Sequence, residues 1–235
     1  MELDGLTGKV HKVTEWLMAI VVTNLLWFLF NLPIAYLGFM LLIVDNMQEI
    51  IALVVYIGVL TPIMFFPATT AMFAVLRYKI LFPDEDIGIF KLFWKHWKQH
   101  YIQSLLGGAV LTFVWLILVI DGYFFVNRVH ENFLYLFIVI GFFMLVMTLH
   151  FFSVTVHVHT QLFQGMKNAL IISLVNPLLT LILGLASLVI VYSSFHVSTF
   201  LIPFFLGSLI AYISFFGFHR FFTKIIDQRS LSAKG

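Results

Sequence analysis

The chain contains no cysteine, which excludes disulfides, thiolate nucleophiles and thiolate metal ligands together. Charge is nearly as scarce: Asp, Glu, Lys and Arg make up 10% of the residues against 62% hydrophobic ones, and mean hydropathy is +1.05. A chain so poor in charge cannot clothe a separate water-facing domain without aggregating. Its 11 acidic residues are Glu2, Asp4, Glu15, Asp45, Glu49, Asp84, Glu85, Asp86, Asp121, Glu131 and Asp227, all in predicted loops or termini. Ion-coupled transporters commonly keep an ionisable side chain inside the bilayer, where charge is costly and is retained for work. No carboxylate, lysine or arginine is found in the apolar runs here, only histidine, so such coupling is disfavoured, and intramembrane proteolysis by paired aspartates is excluded. The sequence also lacks a G-x-x-x-x-G-K-[ST] loop, an H-E-x-x-H helix and a G-x-S-x-G elbow, the usual signatures of nucleotide, zinc-protease and esterase chemistry. No catalytic residue, cofactor or metal is expected, and nothing points to a nucleic-acid partner.

What the chain has is long apolar runs. They cover residues 16–44, 50–76, 99–120, 132 to about 156, and 168–217. The first, at roughly 29 residues, exceeds the ~20 needed to cross a ~30 Å hydrocarbon core. The last, at roughly 50, is too long for one crossing and is expected to be two, turning near residues 193–197. Lys and Arg number 13, and all but Arg128 fall on one side of the resulting map. Lys9 and Lys12 precede the first run, Arg77, Lys79, Lys91, Lys95 and Lys98 follow the second, and Lys167 follows the fourth. Arg220, Lys224, Arg229 and Lys234 close the chain. Positive charge collects in cytoplasmic loops, so the predicted fold is an all-α membrane protein, one integral domain over residues 1–235. It has a six-helix transmembrane bundle with both termini cytoplasmic, placed in the cell membrane, and the first run is read as an uncleaved anchor.

The loop after the second run is the most informative polar stretch. Pro83 breaks the chain, and Asp84, Glu85 and Asp86 suit the positive end of a new helix. Phe90, Phe93, Trp94, Trp97 and Tyr101 then share one helical face beside Lys91, Lys95 and Lys98. Aromatic rings beside snorkelling lysines describe an amphipathic helix lying in the cytoplasmic interface against membrane lipid. The N-terminal arm, with Leu3, Leu6, Val10 and Val13 at helical spacing, reads as a similar but shorter element.

Within the runs, Asn24 and Asn31 lie at i, i+7, Asn176-Pro177 interrupts the fifth segment, and Pro62 and Pro67 interrupt the second. Broken helices free carbonyls that transporters use for substrate, but buried asparagines more often bond neighbouring helices. Packing is the favoured reading. Ala68, Ala71 and Ala74, and Gly207 with Ala211, offer small-residue faces for close helix contact. His150 and His157 share a face two turns apart, too far for one metal, His157 and His159 converge only on a strand, and His96 with His100 lack a third ligand. A weak internal echo pairs Lys98, Ile102, Ser104 and Leu105 with Lys167, Ile171, Ser173 and Leu174.

The stretches N-L-L-W-F-L-F-N-L-P (24–33) and F-P-A-T-T-A-M-F-A-V-L-R (66–77) resemble the hallmark segments of the YesL-like family of bacterial membrane proteins. The likeness extends over nearly the whole length, including six crossings and the aromatic-basic loop. Members are typically encoded beside oligosaccharide ABC importers in Gram-positive bacteria, so the resemblance implies an accessory role in sugar uptake, with the permease subunits of such an importer as partners. The permeases themselves carry a cytoplasmic E-A-A…G docking loop. Here Asp86-Ile87-Gly88 lacks the E-A-A run, so the chain resembles an added subunit rather than a pore-forming one. The expected contact regions are residues 66–77, including Phe66, Pro67, Ala68, Ala71 and Arg77, and 90–101, including Phe90, Lys91, Trp94, Lys95, Trp97, Lys98 and Tyr101. A self-sufficient transporter using Asn24, Asn31 and Asn176, a membrane sensor of carbohydrate uptake, and a homo-oligomer stay open as alternatives.

Overall fold

A computed structural model describes residues 2–83, 85, 87–158 and 161–232. Asp84, Asp86, His159 and Lys234 lie outside the described residues, as do the side chains of Leu3, Leu6, Lys9, Val10, Lys12 and Arg229. The described chain is helical throughout: α1 (Glu2–Phe30), α2 (Leu32–Met40), α3 (Met47–Leu60), α4 (Phe66–Leu81), α5 (Ile89–Arg128), α6 (Phe133–His157), α7 (Leu162–Val175), α8 (Pro177–His196) and α9 (Gly207–Ser232). Six stretches are long and apolar enough to cross a membrane: Val13–Phe30, Met47–Leu81, Ile89–Arg128, Phe133–His157, Pro177–His196 and Ile202–Gln228. The chain therefore reads as a multi-pass membrane protein, as its apolar runs predict.

The breaks between helices follow from proline and from local side-chain bonds. Asn31 separates α1 from α2: its side-chain amide donates to the Trp27 carbonyl at 2.7 Å, and Pro33 two residues on cannot donate to the preceding turn. The first apolar run, expected as one uninterrupted stretch, is thus a crossing followed by a short second helix. At the start of α3, Asn46 Oδ1 caps the helix by accepting from the Gln48 N–H at 3.0 Å, and its side-chain amide donates to the Glu49 carboxylate at 3.4 Å. Pro62 sits in a π turn, Thr61–Phe65, that joins α3 to α4. Pro203 sits in a second, Ile202–Leu206, that leads into α9. Where Pro177 leaves the Ser173 carbonyl without its helical donor, the Thr180 hydroxyl supplies one at 2.7 Å, while Asn176 Oδ1 accepts from the Leu179 N–H at 3.2 Å. Because of that break α7 is a separate helix of 14 residues, too short to cross, and the crossing begins at Pro177 rather than at Asn168.

One expected element is not separate. The aromatic-basic stretch is the first three turns of α5, a continuous helix of 40 residues that runs on through the third crossing. No proline or glycine stands between Ile89 and Leu106, so nothing in the backbone ends the helix at the boundary that hydropathy suggests. Glu85 does not cap it either, and the first turn of α5 holds no acidic residue. Glu85 turns back to α4, its carboxylate accepting from the Tyr78 hydroxyl and its carbonyl from Lys79 Nζ. Gly88 takes the position before the helix.

The core sits around α4, which packs against α1, α5, α6 and α9. All eleven residues from Phe66 to Leu76 are buried, as expected for a helix that is apolar on every face and surrounded by others. Small side chains permit the close packing, which in lipid relies on van der Waals contact more than on hydrophobic exclusion. Gly108 of α5 faces Phe66 so tightly that an added Cβ would lie 2.8 Å from the Phe66 Cβ, an atom that no rotamer change can move away. Hydroxyl chains join the same helices: Ser104 donates to Thr70 at 2.8 Å, and Thr70 donates to the Phe66 carbonyl at 2.9 Å.

Candidate functional site

The two expected contact regions separate sharply. Phe66 is 2% exposed, Ala68 and Ala71 are fully buried, and Pro67 is buried with them. A partner reaches this face only by displacing the chain's own α5, α6 and α9, so residues 66–76 are the bundle core and not a docking surface. Arg77, the next residue, is half-buried and engaged within the chain: its Nε donates to His157 Nδ1 at 3.3 Å, tying the end of α4 to the end of α6. The His157 ring is in turn flanked by Phe215, Phe218, His219 and Phe222 of α9, with centroids 5.1–5.7 Å away. Nothing in the sequence joins these residues before the fold is known.

The start of α5 behaves differently. Leu92 and Phe93 are buried, and Phe30 at the end of α1 meets Phe93, Trp94 and Trp97 at 5.5–6.0 Å. The expected aromatic face is therefore divided: Phe93 anchors the helix, and Trp97 and Tyr101 are partly covered and touch at 4.9 Å. Phe90 remains 67% exposed and Trp94 40% exposed, with Lys91, Lys95 and Lys98 also exposed. Phe90, Trp94 and Lys98 stand in line at i, i+4 and i+8, and Lys98 Nζ lies 5.1 Å above the Trp94 ring. Lys91 is in the first turn of α5, which holds no acidic residue. The helix dipole disfavours a cation there, so Lys91 does not serve the stability of its own helix.

The intramembrane asparagines do not come together. Asn24 is fully buried and grips the second π turn: its amide donates to the Ile202 carbonyl at 3.0 Å, and its Oδ1 accepts from the Ser208 N–H at 2.9 Å. Gly207 makes this approach possible, since a Cβ there would lie 3.3 Å from Asn24 Oδ1 and 3.2 Å from the Trp27 ring. Asn31 bonds back into its own helix and Asn176 caps α8. These are packing and capping roles. Among the described residues no group of three or more His, Asp or Glu is placed to hold a metal.

A cavity of about 620 Å³ lies among the helices, bounded by parts of α1, α3, α4, α5, α6, α8 and α9. Among the described residues no charged side chain lines it. Its hydroxyls are mostly engaged: Thr61 donates to the Ile57 carbonyl, Thr69 to Phe65, Thr148 to Met144 and Ser187 to Leu183, each at 2.7 Å. Thr69 and Thr148 also accept from the indole N–H groups of Trp27 and Trp115, at 2.9 and 3.3 Å. Sequence reasoning missed this space, because it is formed by residues from seven helices with no shared motif.

Comparison with known proteins agrees with the sequence resemblance in part. No solved structure matches the chain. The chain is 28% identical over 218 residues, 90% of its own length and 84% of the other's, to a protein of Bacillus subtilis (strain 168) named "Uncharacterized protein YteU". Residues 20–122, which contain both segments that carry the resemblance noted above, match a family described as "Protein of unknown function, DUF624".

Proposed function

We propose that the chain is a non-catalytic auxiliary subunit of a bacterial oligosaccharide ABC importer, lying laterally against its permease subunits in the cell membrane. The observation that carries this reading is the exposed strip at the start of α5. Phe90 and the three lysines stay exposed and Trp94 partly so, while Leu92 and Phe93 of the same helix are buried and Phe93 meets Phe30 of α1. Aromatic side chains flanked by cations make efficient interface anchors. The choice of a sugar importer as partner rests on the family resemblance in residues 24–33 and 66–77. With both termini cytoplasmic, as the distribution of Lys and Arg implies, this strip stands on the side where a permease meets its ATPase.

A self-sufficient transporter of polar solutes is less well supported. Asn24, Asn31 and Asn176 serve separate structural bonds and define no shared route. The cavity offers almost no polar contact to a sugar, whose hydroxyls would lose water without replacement. The test is affinity capture of the tagged chain from its native membrane in mild detergent, with quantitative mass spectrometry. Permease subunits and a sugar-binding lipoprotein at near-equal amounts are expected; a clean homo-oligomer, reproduced after crosslinking in the membrane, contradicts the proposal.

A further inference from the structure

We propose that Arg77 anchors a phosphate-binding site at the end of the bundle where α4, α6 and α9 meet. A charge withdrawn from water is normally paired. Arg77 is half-buried, yet among the described residues no carboxylate stands against it. Its acceptor is His157 Nδ1, at 3.3 Å. An imidazole nitrogen that accepts a hydrogen bond carries no proton and no charge, so His157 orients the guanidinium without neutralising it. With Nε held in this way, the two Nη nitrogens form the free edge of the fork. Among the described residues they find no acceptor, and they are not sealed from solvent.

The surroundings select an anion. The His219 ring of α9 lies 5.5 Å from the His157 ring, and His96 of α5 is within range of the Arg77 charge. Four helices thus bring basic side chains to one place. Among the described residues no carboxylate stands against Arg77, His96 or His157. A metal cation is repelled there, and a neutral sugar leaves the guanidinium charge unpaired. A guanidinium edge suits two oxygens of one phosphate, which it holds by parallel charged hydrogen bonds. The depth fits as well. Arg77 lies near the end of the span Met47–Leu81 and His157 closes the span Phe133–His157, both at the side that the distribution of Lys and Arg assigns to the cytoplasm. Basic pockets between membrane helices at this level take anionic headgroups, and dissolved phosphate reaches the same level from the water. The two sources share one chemistry, a phosphate with two free oxygens. The inference does not depend on which protein the α5 strip contacts.

The full chain is reconstituted in nanodiscs of phosphatidylcholine with a minor share of phosphatidylglycerol, then released for native mass spectrometry. Retention of phosphatidylglycerol well above its share identifies a lipid headgroup as the source. In nanodiscs of phosphatidylcholine alone, a thermal midpoint raised by inorganic phosphate, against chloride at equal ionic strength, identifies dissolved phosphate. Arg77→Gln should weaken binding of whichever phosphate is found at least about tenfold, as expected from the loss of hydrogen bonds to a charged group. Arg77→Lys keeps the charge but loses the fork, so it should weaken binding less. It also serves as the test variant if Arg77→Gln does not fold. His157→Phe keeps a ring beside Phe215, Phe218 and Phe222 and removes the acceptor that orients Arg77, and its loss should fall below that of Arg77→Gln. Arg220→Gln, at an exposed position where the guanidinium lies over the Phe216 ring, should bind as the unaltered chain does. Absence of both phosphatidylglycerol retention and phosphate stabilisation in the unaltered chain overturns the proposal. Equal binding by the unaltered chain and the Arg77 variants overturns it as well.

Discussion

Replacing Lys91, Lys95 and Lys98 together by glutamate is expected to lower capture of the permease at least about tenfold while the amount of protein in the membrane stays unchanged. Tenfold corresponds to about 1.4 kcal/mol, a modest demand when each charge is reversed, given that a single exposed ion pair contributes up to ~1 kcal/mol. The variant should fold normally. All three side chains are exposed, the contact of Lys98 with the Trp94 ring lies within α5 itself, and glutamate near the start of α5 is better placed relative to the helix dipole than lysine. The variant also separates docking from lipid anchoring. Polybasic segments bind anionic lipid at about 1 kcal/mol per Lys, but six crossing helices already hold the chain in the bilayer. If the lysines serve lipid contact alone, capture of the permease by the variant equals that of the unaltered chain, and quantitative mass spectrometry of the two captures decides.

Asn24→Leu is expected to reduce thermal stability in detergent more than other single changes among the intramembrane asparagines. The substitution keeps the approximate volume but leaves the buried Ser208 N–H without the acceptor seen at 2.9 Å, and removes a donor from the Ile202 carbonyl. A buried unpaired backbone group costs about 1–3 kcal/mol. Interhelical side-chain bonds in membranes often contribute only ~0.6 kcal/mol, because the separated helices find other partners. The larger figure applies here, because the Ser208 N–H belongs to a backbone stretch leaving a π turn that Pro203 has already disturbed. Asn176→Leu removes only a cap at a partly exposed position and should cost about 1 kcal/mol. Thermal unfolding followed by size-exclusion chromatography ranks the two; equal midpoints for Asn24→Leu and the unaltered chain contradict the structural role of the clamp.

Much of the architecture was legible in the residues. Six crossings follow from run length, and the breaks near Pro62, at Asn176-Pro177 and after His196 follow from proline and polar turns. The continuity of α5 was not legible, because hydropathy changes at Gln99 while the backbone has no reason to stop there. Nor was the burial of α4. In a membrane chain every face of a helix is apolar, so the pattern that separates core from surface in water is silent between core and lipid. Phe66, Pro67, Ala68 and Ala71 looked like an adhesive face for that reason. The alanines and threonines of α4, with Gly108 of α5 set against Phe66, were the signal of a central helix. Asn24 was recognised as a packing residue, but its partners, 178 and 184 residues away, required the fold. The cavity and the Arg77–His157 contact required it equally.

The central claim is that the start of α5 touches a sugar-importer permease in the membrane. The most direct measurement places a photo-crosslinking amino acid at Trp94, which is exposed and in line with Phe90 and Lys98, irradiates intact cells, and identifies the product by mass. A product joining this chain to a permease subunit, lost on reversal of Lys91, Lys95 and Lys98, is the result expected. Products with lipid or with a second copy of this chain alone, under conditions that crosslink the permease to its own ATPase, would contradict it.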